Sequence, residues 1–194
     1  MATPVAHSLL AIAVVQGVRP GFSPRLWPRL WPWWLLAVFL ACAPDLDFLP
    51  GMLIGDANRF HQGPSHSLAA AAMAGTLVFM VARWLGGPAL RLAILGFLSY
   101  ASHLLLDVFT EDRRAPLGIP LFWPFSSEAY QAPWPLFGGV KHGVPGDSLS
   151  TVLGHVFSLA NAATVAVEAV LLAPVLLASW LISRRLVRGG QLKG

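Results

Sequence analysis

The sequence predicts an all-α fold, a polytopic membrane helical bundle of about five transmembrane helices. Three observations carry that reading. Hydrophobic residues make up 56% of the 194 and charged residues only 11%, where an ordinary soluble domain carries about a quarter. The mean hydropathy is +0.64. Several apolar stretches approach the roughly 20 residues that cross a bilayer, and they are separated by breaks rich in proline and glycine. The bilayer then stands in for the single buried core of a soluble chain, and one integral membrane domain over residues 1–194 is the simplest organisation.

The first helix, about 2–18, is apolar apart from Thr3, His7, Ser8 and Gln16 and has no positive charge before Arg19. It lacks the basic start of a signal peptide and reads as a retained helix. A linker with Arg19, Arg25, Arg29, Pro20, Pro24 and Pro28 leads to a second helix, about 33–49. Trp31, Trp33 and Trp34 sit at its start, as expected at a membrane interface, and Pro44, Asp45 and Asp47 mark its end. The third helix, about 65–85, opens near Pro64 or Ser65, both suited to a first turn. Its run AAAAMAG permits close packing against a neighbour, and Gly86, Gly87 and Pro88 stop it. A fourth helix, about 89–108, ends in SYASHLLLD. The loop of about 109–149 carries Pro116, Pro120, Pro124, Pro133, Pro135 and Pro145 with Trp123 and Trp134, and a loop that long is usually functional or mobile rather than a mere connection. The last helix, about 150–183, exceeds what a bilayer requires, so its first turns project beyond the membrane.

Charge asymmetry orients the bundle, because loops rich in arginine and lysine stay in the cytoplasm. With the 19–30 linker inside, five crossings also put Arg83, Arg91, Arg184, Arg185, Arg188 and Lys193 inside, with no acid among them. Asp45, Asp47, Asp56, Asp107, Glu111, Asp112, Glu128 and Asp147 face outward. The expected protein is multi-pass in an inner or plasma membrane, N-terminus outside and C-terminus cytoplasmic. Its basic pI, near 10, reflects these loops. No run of alternating basic and aromatic residues points to nucleic acid. The single cysteine, Cys42, excludes an intrachain disulfide framework and a cysteine-rich zinc site.

His103 and Asp107 stand four apart on the fourth helix, so they share one face about a turn apart and can converge on one ion. The topology brings matching groups to the same depth: His7 near the outer end of helix 1, Asp45 and Asp47 at that of helix 2, and His61 and His66 before helix 3. Imidazoles and carboxylates beside hydrocarbon are costly unless paired or bound to a cation. With no thiolate in the set, zinc is the first expectation, manganese or iron next. Asp45 and Asp47 point roughly 200° apart in regular helix. One is then a ligand and the other a supporting partner or base, unless Pro44 ends the helix and frees both.

The segments PDLD at 44–47, HQGPSHS at 61–67, SHLLLD at 102–107 and GIPLFWPFS at 118–126, with HS at 7 and 8, resemble the YdjM-like family of predicted membrane-bound metal-dependent hydrolases. The resemblance covers about residues 1–126. The order of His, Asp, His and HxxxD is also similar to the zinc-dependent phospholipase C and nuclease class, which implies two or three zinc ions and phosphodiester hydrolysis. The chain departs from the family's HRGxTHS box at Gln62 and Ser65, so no phosphate contact is carried over from that arginine. Arg59, Arg113 and Arg114 are possible substitutes. The resemblance implies a hydrolase binding one to three divalent ions and acting on a phosphoester such as a lipid headgroup. His7, Asp45, Asp47, His61, His66, His103 and Asp107 are the expected metal residues, and Asp45 or Asp47 the expected base. A bound metal lowers the pKa of water toward neutrality and stabilises charge on an attacked oxygen.

A different class, a metal-ion transporter or metal-sensing protein, uses the same ligands but needs polar residues through the bilayer. The last helix offers one stripe: Thr151, His155, Ser158, Asn161, Thr164 and Glu168 recur at three- or four-residue steps. Two readings stand for it: packing satisfied by other helices, or a functional stripe in which His155 joins the metal cluster or Glu168 lines a path. His142 reads as solvent-exposed. Phe122, Trp123, Phe125, Trp134 and Phe137 read as interfacial anchors or as a lid admitting a lipid headgroup.

Overall fold

The computed structural model describes residues 1–18, 31–56, 59–112, 117–141, 147 and 149–191. The linker arginines, Arg113, Arg114, His142 and Lys193 lie outside the described residues. The described chain is helical: α1 (Pro4–Val18), α2 (Trp31–Cys42), α3 (Phe48–Leu53), α4 (Leu68–Trp84), α5 (Ala89–Val108), α6 (Leu149–Val156) and α7 (Leu159–Gln191). Two 3-10 turns, Ala43–Asp47 and Pro64–His66, join α2 to α3 and lead into α4.

Among the described residues, three spans are long and apolar enough to cross a membrane: Trp31–Leu53, Ala89–Val108 and Leu159–Leu186. The apolar helices α1 and α4 have 15 and 17 residues, about 22 and 26 Å at 1.5 Å per residue, short of a hydrocarbon core about 30 Å thick. The exposed surface is itself apolar, with Met73 on α4, Leu90 on α5 and Val170 on α7 outward-facing. That surface suits a lipid solvent.

The sequence reading of α5 matches the structure. The second helix departs from it: regular α-helix ends at Cys42, because Pro44 supplies no N–H and the chain tightens into the 3-10 turn holding Asp45 and Asp47. The third helix starts later than read, at Leu68, where the Ser67 hydroxyl accepts from Ala70 N at 3.2 Å and caps it. The last helix is broken: α6 stops at Val156 and α7 starts at Leu159, with Ser158 Oγ accepting from Asn161 N at 3.3 Å.

Packing of α4 on α5 follows from small residues. Ala71, Gly75, Val78 and Ala82 form the buried stripe of α4. A Cβ on Gly75 would lie 3.0 Å from Phe97 Cβ, and one on Gly96 2.9 Å from Val78 Cγ2. The small-residue run therefore sets the helix separation. Ala11, Val15, Ala37, Leu40, Ala41, Val78, Ala82, Leu92 and Leu95 make an apolar core through the middle of α1, α2, α4 and α5.

The segment after α5 docks on the bundle. Ala132 N donates to Val108 O, Leu136 N and Phe137 N to Phe109 O, Leu68 N to Leu121 O and Val140 N to Met1 O. Ile119 and Tyr130 pair in an antiparallel bridge. Gly118 makes that bridge possible: its φ is +97°, and a Cβ there would meet Tyr130 O at 2.2 Å. Phe137 is buried, whereas Phe122, Trp123, Phe125 and Trp134 are exposed.

One end of the bundle gathers the start of α1, the end of α2, the start of α4, the end of α5 and the start of α7. Arg83, Arg91, Arg184 and Arg185 stand toward the other end.

Candidate metal centre

Five of the expected residues meet at the first of these ends. His7 is in the first turn of α1, Asp45 in the 3-10 turn after α2, His66 in the 3-10 turn before α4, and His103 and Asp107 in the last turns of α5. His7, His66 and His103 are fully buried and Asp107 nearly so.

Asp45, His66, His103 and Asp107 each offer one donor atom, and the four lie within 4.8 Å of one another. His103 Nε2 lies 3.2 Å from His66 Nε2, 3.2 Å from Asp107 Oδ2 and 3.5 Å from Asp45 Oδ1. His66 Nε2 lies 3.6 Å from Asp45 Oδ1 and 3.6 Å from Asp107 Oδ2. A tetrahedral ion bonded at about 2.0–2.1 Å holds neighbouring donors about 3.3 Å apart. The spacing is that of a small cation's coordination shell.

Both imidazoles are turned by what lies behind them. His103 Nδ1 is 2.7 Å from Ala41 O; a carbonyl only accepts, so Nδ1 carries the proton and Nε2 presents its lone pair. Asp47 Oδ2 lies 3.2 Å from His66 Nδ1 and does the same for His66. Asp47 is itself held by Ser65 Oγ at 2.8 Å, Gln62 N at 3.1 Å and His61 Nδ1 at 2.9 Å. Its oxygens thus receive donors, the mark of a supporting carboxylate. In a 3-10 turn two residues span about 240°, so Asp45 faces the cluster from one side while Asp47 holds His66 from behind. Asp47, His61 and His66 also lie close enough to form a second ligand group, at the expense of those hydrogen bonds.

The HQGPSHS box builds this support. Gln62 takes a left-handed conformation, φ 60°, which turns its N–H toward Asp47, and such strain in a non-glycine residue clusters at functional sites. A Cβ on Gly63 would lie 2.9 Å from Phe60 O. Ser65 O accepts from Tyr100 Oη at 2.8 Å. Burial draws both loop imidazoles toward neutrality. For His61 it prevails and the pKa falls despite Asp47. For His66 burial is outweighed by its contacts with Asp45 and Asp47 and by the field of Asp107, and the pKa rises to about 9.

The buried donors fit a cation. Among the described residues, both oxygens of Asp45, Oδ2 of Asp107 and both ring nitrogens of His7 are buried without a hydrogen-bond partner. Native interiors rarely tolerate such groups, and a divalent ion in the cluster would satisfy the carboxylate atoms. His7 stacks on His103 with centroids 3.8 Å apart, its Nε2 3.7 Å from Asp107 Oδ1.

Residues 1–186 match the YdjM inner membrane protein family. The chain belongs to this family. A curated relative, Inner membrane protein YbcI of Escherichia coli (strain K12), is 36% identical over 102 residues, covering 50% of this chain and 56% of that protein. The chain therefore spans little more than half the length of that relative. No solved structure matches it. The family match runs well past residue 126, where the recognisable motifs end, and takes in α6 and most of α7.

The stripe on the last helix resolves into separate roles. His155 is exposed on α6 and does not join the cluster, because the break at 157–158 separates its helix from α7. Asn161 holds Lys141, accepting from its N–H and donating to its carbonyl, both at 2.9 Å. Arg59 lies 5.9 Å over the ring of Phe60. Sequence reasoning missed Ala2, Thr3, Ser65 and the Ala41 carbonyl. A threonine directly before Pro4 is a helix-start signal, and it was the available clue to Thr3.

Proposed function

We propose that this protein is a membrane-bound, zinc-dependent hydrolase of a phosphoester, with its site at the extracytoplasmic end of the bundle. The observation that carries this is the quartet of donor atoms from Asp45, His66, His103 and Asp107, all within 4.8 Å of one another and 3.2–3.6 Å apart wherever a histidine is one of the pair. Resemblance to a family of metal-dependent hydrolases supplies the reaction class.

Asp45, His66, His103 and Asp107 would hold the ion, with His7 beside them. A bound zinc ion supplies Lewis-acid charge and makes a nearby water more acidic. The protein's own part follows from exposure. The side chains of His66, His103 and Asp107 are 0% exposed and that of Asp45 is 12% exposed. Water and substrate therefore approach past Asp45; with Oδ1 turned to the ion, its Oδ2, which has no hydrogen-bond partner among the described residues, would take the proton leaving the attacking water. Asp47 and Ala41 keep the two imidazoles aimed. The exposed Phe122, Trp123, Phe125 and Trp134 suit a membrane interface, where a lipid headgroup would be presented.

A transporter would need ligands through the bilayer, whereas below the cluster α1, α2, α4 and α5 pack on an apolar core and the polar contact at the far end of α1 is the neutral pair Gln16–Ser179. The test is hydrolysis by the purified protein of a chromogenic phosphodiester and of phospholipid in vesicles, with zinc and after chelation. Zinc-restored release of the alcohol or headgroup, reduced at least about 100-fold in Asp45→Asn, is the expected result. Zinc flux into proteoliposomes without hydrolysis would reverse the assignment.

A further inference from the structure

Glu168 is a buried carboxylate in the membrane-spanning part of α7, 1% exposed. It stands nine residues beyond Leu159, about 14 Å along the helix, where an acid is expensive without partners. Among the described residues its hydrogen-bond partner is Thr3. Thr3 N lies 3.2 Å from Oε1 and 3.1 Å from Oε2 of Glu168, and the Thr3 hydroxyl donates to Oε2. The same hydroxyl oxygen accepts from Ala6 N at 3.1 Å, so Thr3 caps α1 while Glu168 holds the cap. An anion at this place also meets the positive end of the α1 dipole.

The neighbouring residue reaches the cluster. Ala2 N donates to Asp107 Oδ1 at 3.0 Å, which leaves Oδ2 facing His66 and His103. One turn further along α1, His7 N bonds Thr3 O at 3.1 Å and the His7 ring lies against His103. Residues 2–7 thus connect Glu168 on α7 to Asp107 on α5 through hydrogen bonds of Thr3 and Ala2.

We infer that Glu168 is a positioning residue for the metal centre: through the Thr3 cap it fixes the start of α1, and Ala2 and His7 then hold Asp107 and His103 in their binding geometry. This rests on the reading that the cluster binds a metal. It removes Glu168 from any ion path and from the ligand set.

The experiment compares wild type, Glu168→Gln, Glu168→Ala, Thr3→Ala and Thr3→Ser, purified in detergent, for zinc affinity by chelator competition and for the visible spectrum of the cobalt-substituted protein. Loss of a residue that supports ligands typically costs about 10–100-fold in affinity. Glu168→Ala is expected to fall in that range and to change the cobalt bands while still binding the wild-type amount of metal at saturation. Thr3→Ala should show a smaller loss in the same direction, restored by Thr3→Ser. The double variant Glu168→Ala with Thr3→Ala should be no weaker than Glu168→Ala alone, since both act through one contact. If Glu168→Ala does not fold, Glu168→Gln and the Thr3 variants carry the same comparison. Wild-type affinity and spectrum in folded Glu168 and Thr3 variants would overturn the inference, as would loss of saturating metal in Glu168→Gln, which would make it a ligand. Failure of the underlying reading looks different: the wild type itself would bind no zinc.

Discussion

The Nε2 atoms of His66 and His103 lie 3.2 Å apart in a fully buried site. Two lone pairs at that distance repel unless a proton or a cation lies between them. Without a metal a proton can fill that place: burial lowers the His66 pKa, but Asp45, Asp47 and the field of Asp107 outweigh it and raise it to about 9.

A proton release follows. A ligating imidazole must present a lone pair, and His66 is protonated below about pH 9, so zinc binding near pH 7.5 expels a proton. Calorimetry in two buffers of different ionisation enthalpy should report about one proton or more released per ion, with affinity rising as the pH climbs toward 9. Binding without proton release would place the ion away from His66.

Asp47 supports His66 from behind, and its oxygens already receive Ser65, Gln62 and His61. Asp47→Asn should weaken zinc binding about 10–100-fold while leaving the saturating amount of metal unchanged. Chelator competition reads the affinity and elemental analysis the amount. Loss of one of two ions on this change would instead mean that Asp47, His61 and His66 hold an ion of their own.

Gly118 is where a side chain is least tolerable. A methyl group there meets Tyr130 O at 2.2 Å and forces an L-residue to φ +97°, a cost of about 1–3 kcal/mol from backbone strain alone before the clash is added. Gly118→Ala should lower the thermal midpoint of the detergent-solubilised protein. An unchanged midpoint would mean that the Ile119–Tyr130 bridge contributes little to holding the segment on the bundle.

Orientation can be read by labelling. In a Cys42→Ser background, Glu128→Cys should react with a membrane-impermeant maleimide in spheroplasts, and Arg185→Cys only after permeabilisation. The opposite pattern would put the metal centre on the cytoplasmic side.

The fold was legible where pattern and chemistry agree. Proline, glycine and apolar length delimit α5 to the residue, and the AAAAMAG run foretells the close approach of α4 at Gly75. The juxtaposition of the candidate residues was legible because alternating helices bring His7, Asp45, His66, His103 and Asp107 to one end. The division of labour was not. Whether Asp45 or Asp47 faces the cluster depends on the 3-10 turn that Pro44 imposes, and the tautomer of His103 depends on the Ala41 carbonyl, a main-chain atom no side-chain motif reveals. The break at 157–158 was hidden by a hydrophobic run that continues through it, so His155 and Glu168 read as one stripe although they serve different segments.

The central claim is that Asp45, His66, His103 and Asp107 bind a divalent ion, and metal content tests it most directly. Wild-type protein purified without chelator should carry zinc or another divalent metal at one equivalent or more, while folded His103→Ala and Asp107→Ala should each lose an ion. Wild-type metal content in both variants would contradict the account.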